Sequence, residues 1–245
     1  MDKTFTELEN IDVLIYQEKD QYKRTTSPRP LRLFVSVPEL EHPLTKKSNK
    51  ILKRGFDIVF SLFVIVFLLS WIIPLLAIFV KLSSKKGPVF FKQKRTGLLG
   101  KTFLCWKIRS MEVNGDAHSK QASPGDERIT LAGKFMRKLS LDELPQFYCV
   151  LIGDMSVVGP RPHMLNHTEE YSKLVDNYII RHSIKPGVTG LSQVRGYRGE
   201  IRCPVALKNR IKLDLFYISK WNFMLDLKIV FKTFKLVLFG DENAF

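Results

Sequence analysis

FDIVFSLFVIVFLLSWIIPLLAIFV, residues 56–80, carries a single charge, Asp57, in 25 positions. A straight α-helix of that length measures about 37 Å, enough to cross the hydrocarbon core of a bilayer. Two features complicate a simple span. Pro74 lies inside the run, where it removes a backbone hydrogen bond and bends the helix. Basic residues also flank both ends, with Lys50, Lys53 and Arg54 before the run and Lys81, Lys85 and Lys86 after it. The positive-inside rule then keeps both ends cytoplasmic. A helix that enters the membrane, breaks near Pro74 and returns would obey it. The carbonyls freed near Ser70 would need a hydroxyl or a neighbouring helix as partner. These residues alone leave the re-entrant and bitopic readings open.

The charge outside this run is unevenly spread. The whole chain of 245 residues carries +15, yet residues 1–45 hold six Lys and Arg against eight Asp and Glu, which leaves +17 on the remainder. Such an excess points to phosphate-bearing partners: nucleotides, anionic lipid or nucleic acid. The cluster Lys46, Lys47, Lys50, Lys53 and Arg54 suits anionic membrane headgroups. Cys105, Cys149 and Cys203 are scattered and odd in number, which argues against a zinc site or a disulfide framework. The polar, acidic N-terminus does not read as a cleavable signal peptide. Residues 1–49 read as a polar extension punctuated by four prolines, with one short strand at 31–37 where Leu31, Leu33, Val35 and Val37 alternate.

Downstream, Gly87-Pro88 ends the helical pattern, and residues 89–95 and 102–109 read as a β-hairpin around Gly97 and Gly100. Alternation puts Lys107 and Arg109 on one strand face, where two cations can hold a diphosphate. Arg95 lies on the facing strand. Residues 129–138 read as a short helix ending in Arg137 and Lys138. Ser140-Leu141-Asp142-Glu143-Leu144-Pro145-Gln146 follows. Its Ser-x-x-Glu spacing is that of a capping box, with Ser140 or Asp142 as N-cap and Pro145 in or near the first turn. Both carboxylates would then sit at a helix N-terminus. Beyond them, Pro160 and Pro162 brace Arg161, presenting it at little entropic cost. A rigid arginine beside paired carboxylates suits phosphate held next to Mg²⁺, and a carboxylate can also act as a nucleophile toward phosphorus.

Taken together these motifs resemble the bacterial sugar transferase family, the monotopic phosphoglycosyl transferases. The resemblance covers roughly residues 50–239. It rests on Lys53-Arg54 with Asp57, the apolar run with Pro74 and the sequence Gly87-Pro88-Val89. Gln93, Arg95, Gly97, Lys107-x-Arg109-Ser110-Met111 and the Leu-Asp-Glu-Leu-Pro-Gln core continue it. Gly153-Asp154-Met155-Ser156, Pro160-Arg161-Pro162 and residues 185–190 complete it. The chain departs from the family at Ile108, usually Phe, and at Ile73, where no serine directly precedes Pro74. The resemblance implies that Asp142 attacks the β-phosphate of a UDP-sugar, that UMP leaves, and that Glu143 holds Mg²⁺. Undecaprenyl phosphate would then take the phosphosugar, priming exopolysaccharide, capsule or O-antigen assembly at the cytoplasmic face of the bacterial inner membrane. Lys107, Arg109, Arg137, Arg161 and Arg95, with Pro160 and Pro162, match phosphate- or nucleotide-binding positions. Arg198 and Glu200, in the loop 196–200, are candidate sugar contacts, and residues 160–163 with this loop resemble the glucose- or galactose-priming subgroup. Anionic lipids are expected partners and nucleic acid is not. A homodimer is allowed for. The competing reading is a non-catalytic, membrane-anchored module that binds anionic lipid or nucleic acid.

In the C-terminal third, residues 166–182 read as a polar helix and 205–219 as a helix with Leu207, Ile211 and Leu215 at four-residue spacing. Residues 221–239 are apolar but carry Lys228, Lys232 and Lys235 along one face, the pattern of a helix lying in the membrane interface. The expected fold is α+β and mostly helical. It is that of a monotopic membrane protein with a re-entrant helix-hairpin at 50–86 and a cytoplasmic catalytic domain at 87–245. That domain holds a small β-hairpin and interfacial amphipathic helices.

Overall fold

The structure, a computed structural model, describes residues 41–84, 86–115, 122–123, 125–197, 199, 201 and 204–239. The strand expected at 31–37 lies outside them, as do Arg198, Glu200 and Cys203.

A helical run, α1 (Lys47–Ser83), spans 37 residues and is long and apolar enough to cross a membrane. Its irregular turn is not at Pro74, which sits inside the second α-helical part. A π-helical turn at Ile65–Leu69 precedes that part, and the Ser70 amide donates to the Ile65 carbonyl. The widened turn leaves carbonyls that side chains cover: Ser70 Oγ donates to Val66 O at 2.6 Å and Trp71 Nε1 to Phe67 O at 2.8 Å. The expected serine hydroxyl is thus in place, one turn earlier than the proline demands.

One face of α1 is docked along its length. Lys53, Asp57, Ser61, Val64, Leu69, Leu76 and Val80 are buried. Lys53 Nζ donates to Asp226 Oδ2 (2.8 Å), Val158 O and Tyr217 OH (both 3.0 Å). Arg54 donates to the carbonyls of Val150 and Leu151. Asp57 Oδ1 accepts from Ser156 Oγ and the Val157 amide. The opposite face exposes Val59, Phe63, Val66, Phe67, Trp71, Leu75, Ile78, Phe79 and Leu82.

The hairpin forms as expected, with β1 (Phe90–Thr96) antiparallel to β2 (Thr102–Ile108) and Phe91 opposite Lys107. Next comes α2 (Leu131–Lys138), where the Thr130 hydroxyl caps the Gly133 amide. Ala132 and Met136 pack with Ile108 against Leu76 and Val80 of α1. The capping box does not form. Ser140 has a left-handed backbone (φ 59°) and makes no side-chain cap bond, residues Leu141–Glu143 form a 3₁₀ turn, and α3 (Gln146–Ile152) starts only after Pro145. The acids therefore precede the helix rather than cap it. The Glu143 carboxylate turns to cations instead.

Two short strands, β3 (Ser156–Val158) and β4 (Gly187–Thr189), pair in parallel, a contact the sequence reading lacked. Between them lie α4 (Leu165–Leu174) and a 3₁₀ stretch at Tyr178–Ser183, so the polar helix expected at 166–182 is shorter and ends in a tighter coil. The short α5 (Leu191–Val194) precedes α6 (Pro204–Ser219) and α7 (Phe223–Phe239), which close the fold. The main core joins α1, α3, β3, α6 and α7 through residues such as Leu69, Val150, Val157, Tyr217 and Ile229. The architecture is mostly helical α+β with a small antiparallel hairpin.

Candidate active site

The 3₁₀ turn carries Asp142 and Glu143 side by side, 4% and 8% exposed, into the wall of a cavity of about 350 Å³. Such short helices follow from the sequence: Ser140 adopts the left-handed region that ends α2, and Pro145 keeps α3 from starting earlier. Arg95, Lys107, Arg109, Arg137, Arg161 and Pro162 line the same cavity. The structure thus gathers nearly all of the predicted phosphate-binding set from five separate segments. Pro160 stands just behind, its carbonyl accepting from the Gly187 amide at 3.0 Å. Arg198 and Glu200 lie outside the described residues, although their neighbours Gly199 and Ile201 reach the cavity wall.

Glu143 is held from two sides. Arg161 grips it in a fork, Nη2 to Oε1 at 2.6 Å and Nη1 to Oε2 at 3.0 Å, while Lys107 Nζ donates to Oε1 at 2.7 Å. Burial works to lower the Arg161 pKa, but the Glu143 carboxylate outweighs it and holds the guanidinium above its ordinary value. The two cations expected to act together on β2 part company. Lys107 turns to Glu143. Arg109, just past the strand end, donates to Ser84 O at 2.9 Å, to Ser84 Oγ at 3.2 Å and to the Lys86 carbonyl. Arg95 donates to Gln93 Oε1 and Pro162 O.

Other wall residues escaped the sequence reading. His163 is buried, with Nδ1 2.7 Å from Tyr178 OH. Burial and then the charges of Arg181 and Arg210 push its pKa well below the ordinary value, so the ring is neutral at physiological pH. Arg210, 4% exposed, donates to the carbonyls of Tyr197 and Gly199, and burial, aided by Arg161, pushes it down to about 10. Behind the wall, Asp214 accepts from Arg181 and Ser192, and Arg181 Nη2 donates to Arg161 O at 2.7 Å. This buried ion pair fixes the backbone that presents Arg161. An arginine inside the apolar run Tyr178-Ile179-Ile180-Arg181 was its one available sequence signal.

Among the cavity-lining residues six cations face three carboxylates, Glu112, Asp142 and Glu143. A low-dielectric wall with that imbalance concentrates polyanions. No group of three or more His, Cys, Asp or Glu side chains able to hold a metal occurs among the described residues. A divalent ion here would draw on the carboxylate pair together with ligand oxygens and water, the usual manner of Mg²⁺.

A family model described as "Bacterial sugar transferase" matches residues 48–240. Among similar proteins, the UDP-glucose:undecaprenyl-phosphate glucose-1-phosphate transferase of Klebsiella pneumoniae is 48% identical over 198 residues, covering 80% of this chain and 42% of that protein. The enzyme of the same name from Caulobacter vibrioides is 41% identical over 204 residues, covering 83% of this chain and 75% of its own length. The undecaprenyl-phosphate galactose phosphotransferase of Salmonella typhimurium is 38% identical over 223 residues, covering 84% and 44% respectively. This chain spans about two fifths of the length of the first of these relatives.

Proposed function

The chain belongs to the bacterial sugar transferase family. From that premise we propose that it moves a sugar-1-phosphate from a UDP-sugar to undecaprenyl phosphate, releasing UMP. The observation that carries this reading is the buried Asp142–Glu143 turn set in a cavity with an excess of cations. The names of its relatives supply the donor and acceptor classes, with glucose or galactose as the sugar.

The donor diphosphate lies among Lys107, Arg161 and Arg95. A carboxylate oxygen of Asp142 attacks the β-phosphorus, and the bond from that phosphorus to the bridging oxygen of UMP breaks. An oxygen of the lipid monophosphate then attacks the same phosphorus and releases the Asp142 carboxylate. No proton need move in either step. Glu143 would hold Mg²⁺, and the ion would neutralise charge on the diphosphate. The paired carboxylates beside a phosphate-sized cavity fit that ion. Lys107 and Arg161, which now sit on Glu143, are the donors that would turn to the phosphates.

The site works at a membrane surface. An exposed apolar face runs along the whole of α1 while the other face is docked on the protein, which favours a helix that dips into the membrane and returns over one that crosses it. The exposed Lys228, Lys232 and Lys235 of α7, with Phe231 and Phe234, suit an interfacial helix. This organisation puts the cavity at the cytoplasmic face of the inner membrane.

The decisive experiment incubates the protein with Mg²⁺ and UDP-sugar labelled in the sugar, without lipid. Covalent label on the wild type and none on Asp142→Asn is the expected result. Failure of every UDP-sugar to release UMP even with lipid phosphate present would sink the reading.

A further inference from the structure

The cavity has two ends. One face of the hairpin forms its floor: Phe91, Gln93 and Arg95 alternate along β1, with Lys107 opposite Phe91 and Phe103 opposite Arg95. At about 3.3 Å per residue the Phe91 and Arg95 ends of this floor are some 13 Å apart. The Arg95 end meets the 160s loop, where Arg95 donates to Pro162 O and bridges to Met164, and where His163 and Arg210 complete the wall. The Phe91 end meets the C-terminus of α1. There Arg109 binds Ser84, Arg137 Nε donates to Ser110 Oγ at 3.1 Å, and Pro88, Met111 and Val113 form an apolar rim.

The cations differ in how far they are committed. Lys107 and Arg161 hold Glu143. Arg95 holds Gln93 and Pro162 O, Arg109 holds Ser84, and Arg210 holds two loop carbonyls. For Arg137 only the Nε bond to Ser110 is made, and its two terminal nitrogens have no partner among the described residues. Arg137 also rides on α2, whose outer face exposes Leu131 (82%) and Phe135 (56%) beside the exposed Leu82 (76%) at the end of α1. A ligand bound here would place an anionic head on Arg137 and an apolar tail along these side chains.

Building on the transfer reading above, we propose that the α1 end of the cavity is the acceptor port. Arg137 receives the phosphate of the lipid monophosphate there, while the nucleotide-sugar occupies the Arg95 end. The two substrates then approach Asp142 from opposite sides, so the lipid phosphate reaches the phosphorus without crossing the nucleotide. The acceptor oxygen forms the new P–O bond as the bond to Asp142 breaks.

Steady-state UMP release by the full chain in nanodiscs, varying each substrate in turn, tests this. Arg137→Ala should raise the KM for undecaprenyl phosphate roughly 10–100-fold, the loss expected of a charge-assisted hydrogen bond. The KM for the UDP-sugar should stay within about twofold, and Arg137→Lys should recover part of the loss. Thermal melting of both variants checks folding. Val113→Asp, which puts a negative charge on the rim, should raise the same lipid KM and gives a second route should Arg137→Ala not fold. A donor KM that rises with the lipid KM, or a lipid KM that moves in neither variant, overturns the proposal. In the wild type, decyl phosphate should compete with the lipid far better than inorganic phosphate does, and equal potency of the two would rule out an apolar port. A wild type that releases no UMP from any UDP-sugar would instead remove the transfer reading.

Discussion

Glu143 takes three hydrogen bonds from two cations, and the fork made by Arg161 depends on planar guanidinium geometry. Arg161→Lys keeps the charge and loses the fork. It should lower kcat/KM for UMP release roughly 10–100-fold with little change in melting temperature. His182 gives a different prediction. It is buried beside Arg181, and burial first, then that charge, pushes its pKa down to about 3. Its ring stays neutral in the fold, whereas a free imidazole takes a proton near pH 6.5. Below that pH the unfolded chain binds a proton that the folded one refuses. Stability is therefore lost as pH falls from about 6.5 towards 3, and nothing is lost above 6.5. At pH 5 the cost is about 2 kcal/mol for this residue. Chemical denaturation at pH 7 and pH 5 should show a drop that shrinks in His182→Gln. A drop of the same size in that variant would assign the pH dependence elsewhere. The acids, Arg161 and Lys107 were legible at this scale, because charges near a paired carboxylate stand out in sequence. Arg181, Asp214 and Ser192 were not, because nothing local marks a buried ion pair whose partners lie 33 residues apart.

Among the elements, the hairpin and the helices with four-residue apolar spacing were legible, since their periodicity is local. The β3–β4 ladder was not. Each strand has only three residues, and its pairing is set by two glycines that let backbones cross. A Cβ on Gly187 would lie 2.1 Å from the Gly159 amide nitrogen and 2.4 Å from Thr189 O, and backbone cannot yield as a flexible side chain can. The ladder ends where Pro160-Arg161-Pro162 begins, so it sets where the fork meets Glu143. Gly187→Ala should cost about 1–3 kcal/mol or more, as overpacking does, and UMP release should fall with it. Gly55 is the contrast. It lies in α1 with nothing within 4 Å of a Cβ, so Gly55→Ala should stabilise the helix by about 0.5–1 kcal/mol. Thermal melting of the two variants should move in opposite directions. The capping box failed for a related reason. Its Ser-x-x-Glu spacing is a local signal, but a cluster of cations from β2 and the 160s loop outbids a single backbone amide for the Glu143 carboxylate.

For the molecule as a whole, hydropathy could say that residues 56–80 leave water but not which way they lie in the membrane. That is decided by what the helix touches. Its first half is tied to β3, α3 and α7 by Lys53, Arg54 and Asp57, and its last turns pack Leu76 and Val80 on α2 and β2. Lys81 Nζ and Arg109 then bind the chain on either side of residue 85. A helix crossing a bilayer would carry its two ends some 30 Å apart on opposite sides of the hydrocarbon, and one protein body could not hold both. The buried Lys53–Asp226 pair makes this docking costly to undo, since removing one partner of such a pair costs about 3–5 kcal/mol. Single cysteines at Lys46 and Lys86, in a background without the native cysteines, should therefore both react with a membrane-impermeant maleimide from the cytoplasmic side, in inverted vesicles and not in intact cells. Labelling from opposite sides would make the helix a span and would separate the hairpin from β3 by the bilayer. The cavity joins residues from both, so the same result would also dismantle the site around Asp142 and Glu143. The topology and the chemistry stand or fall on one measurement.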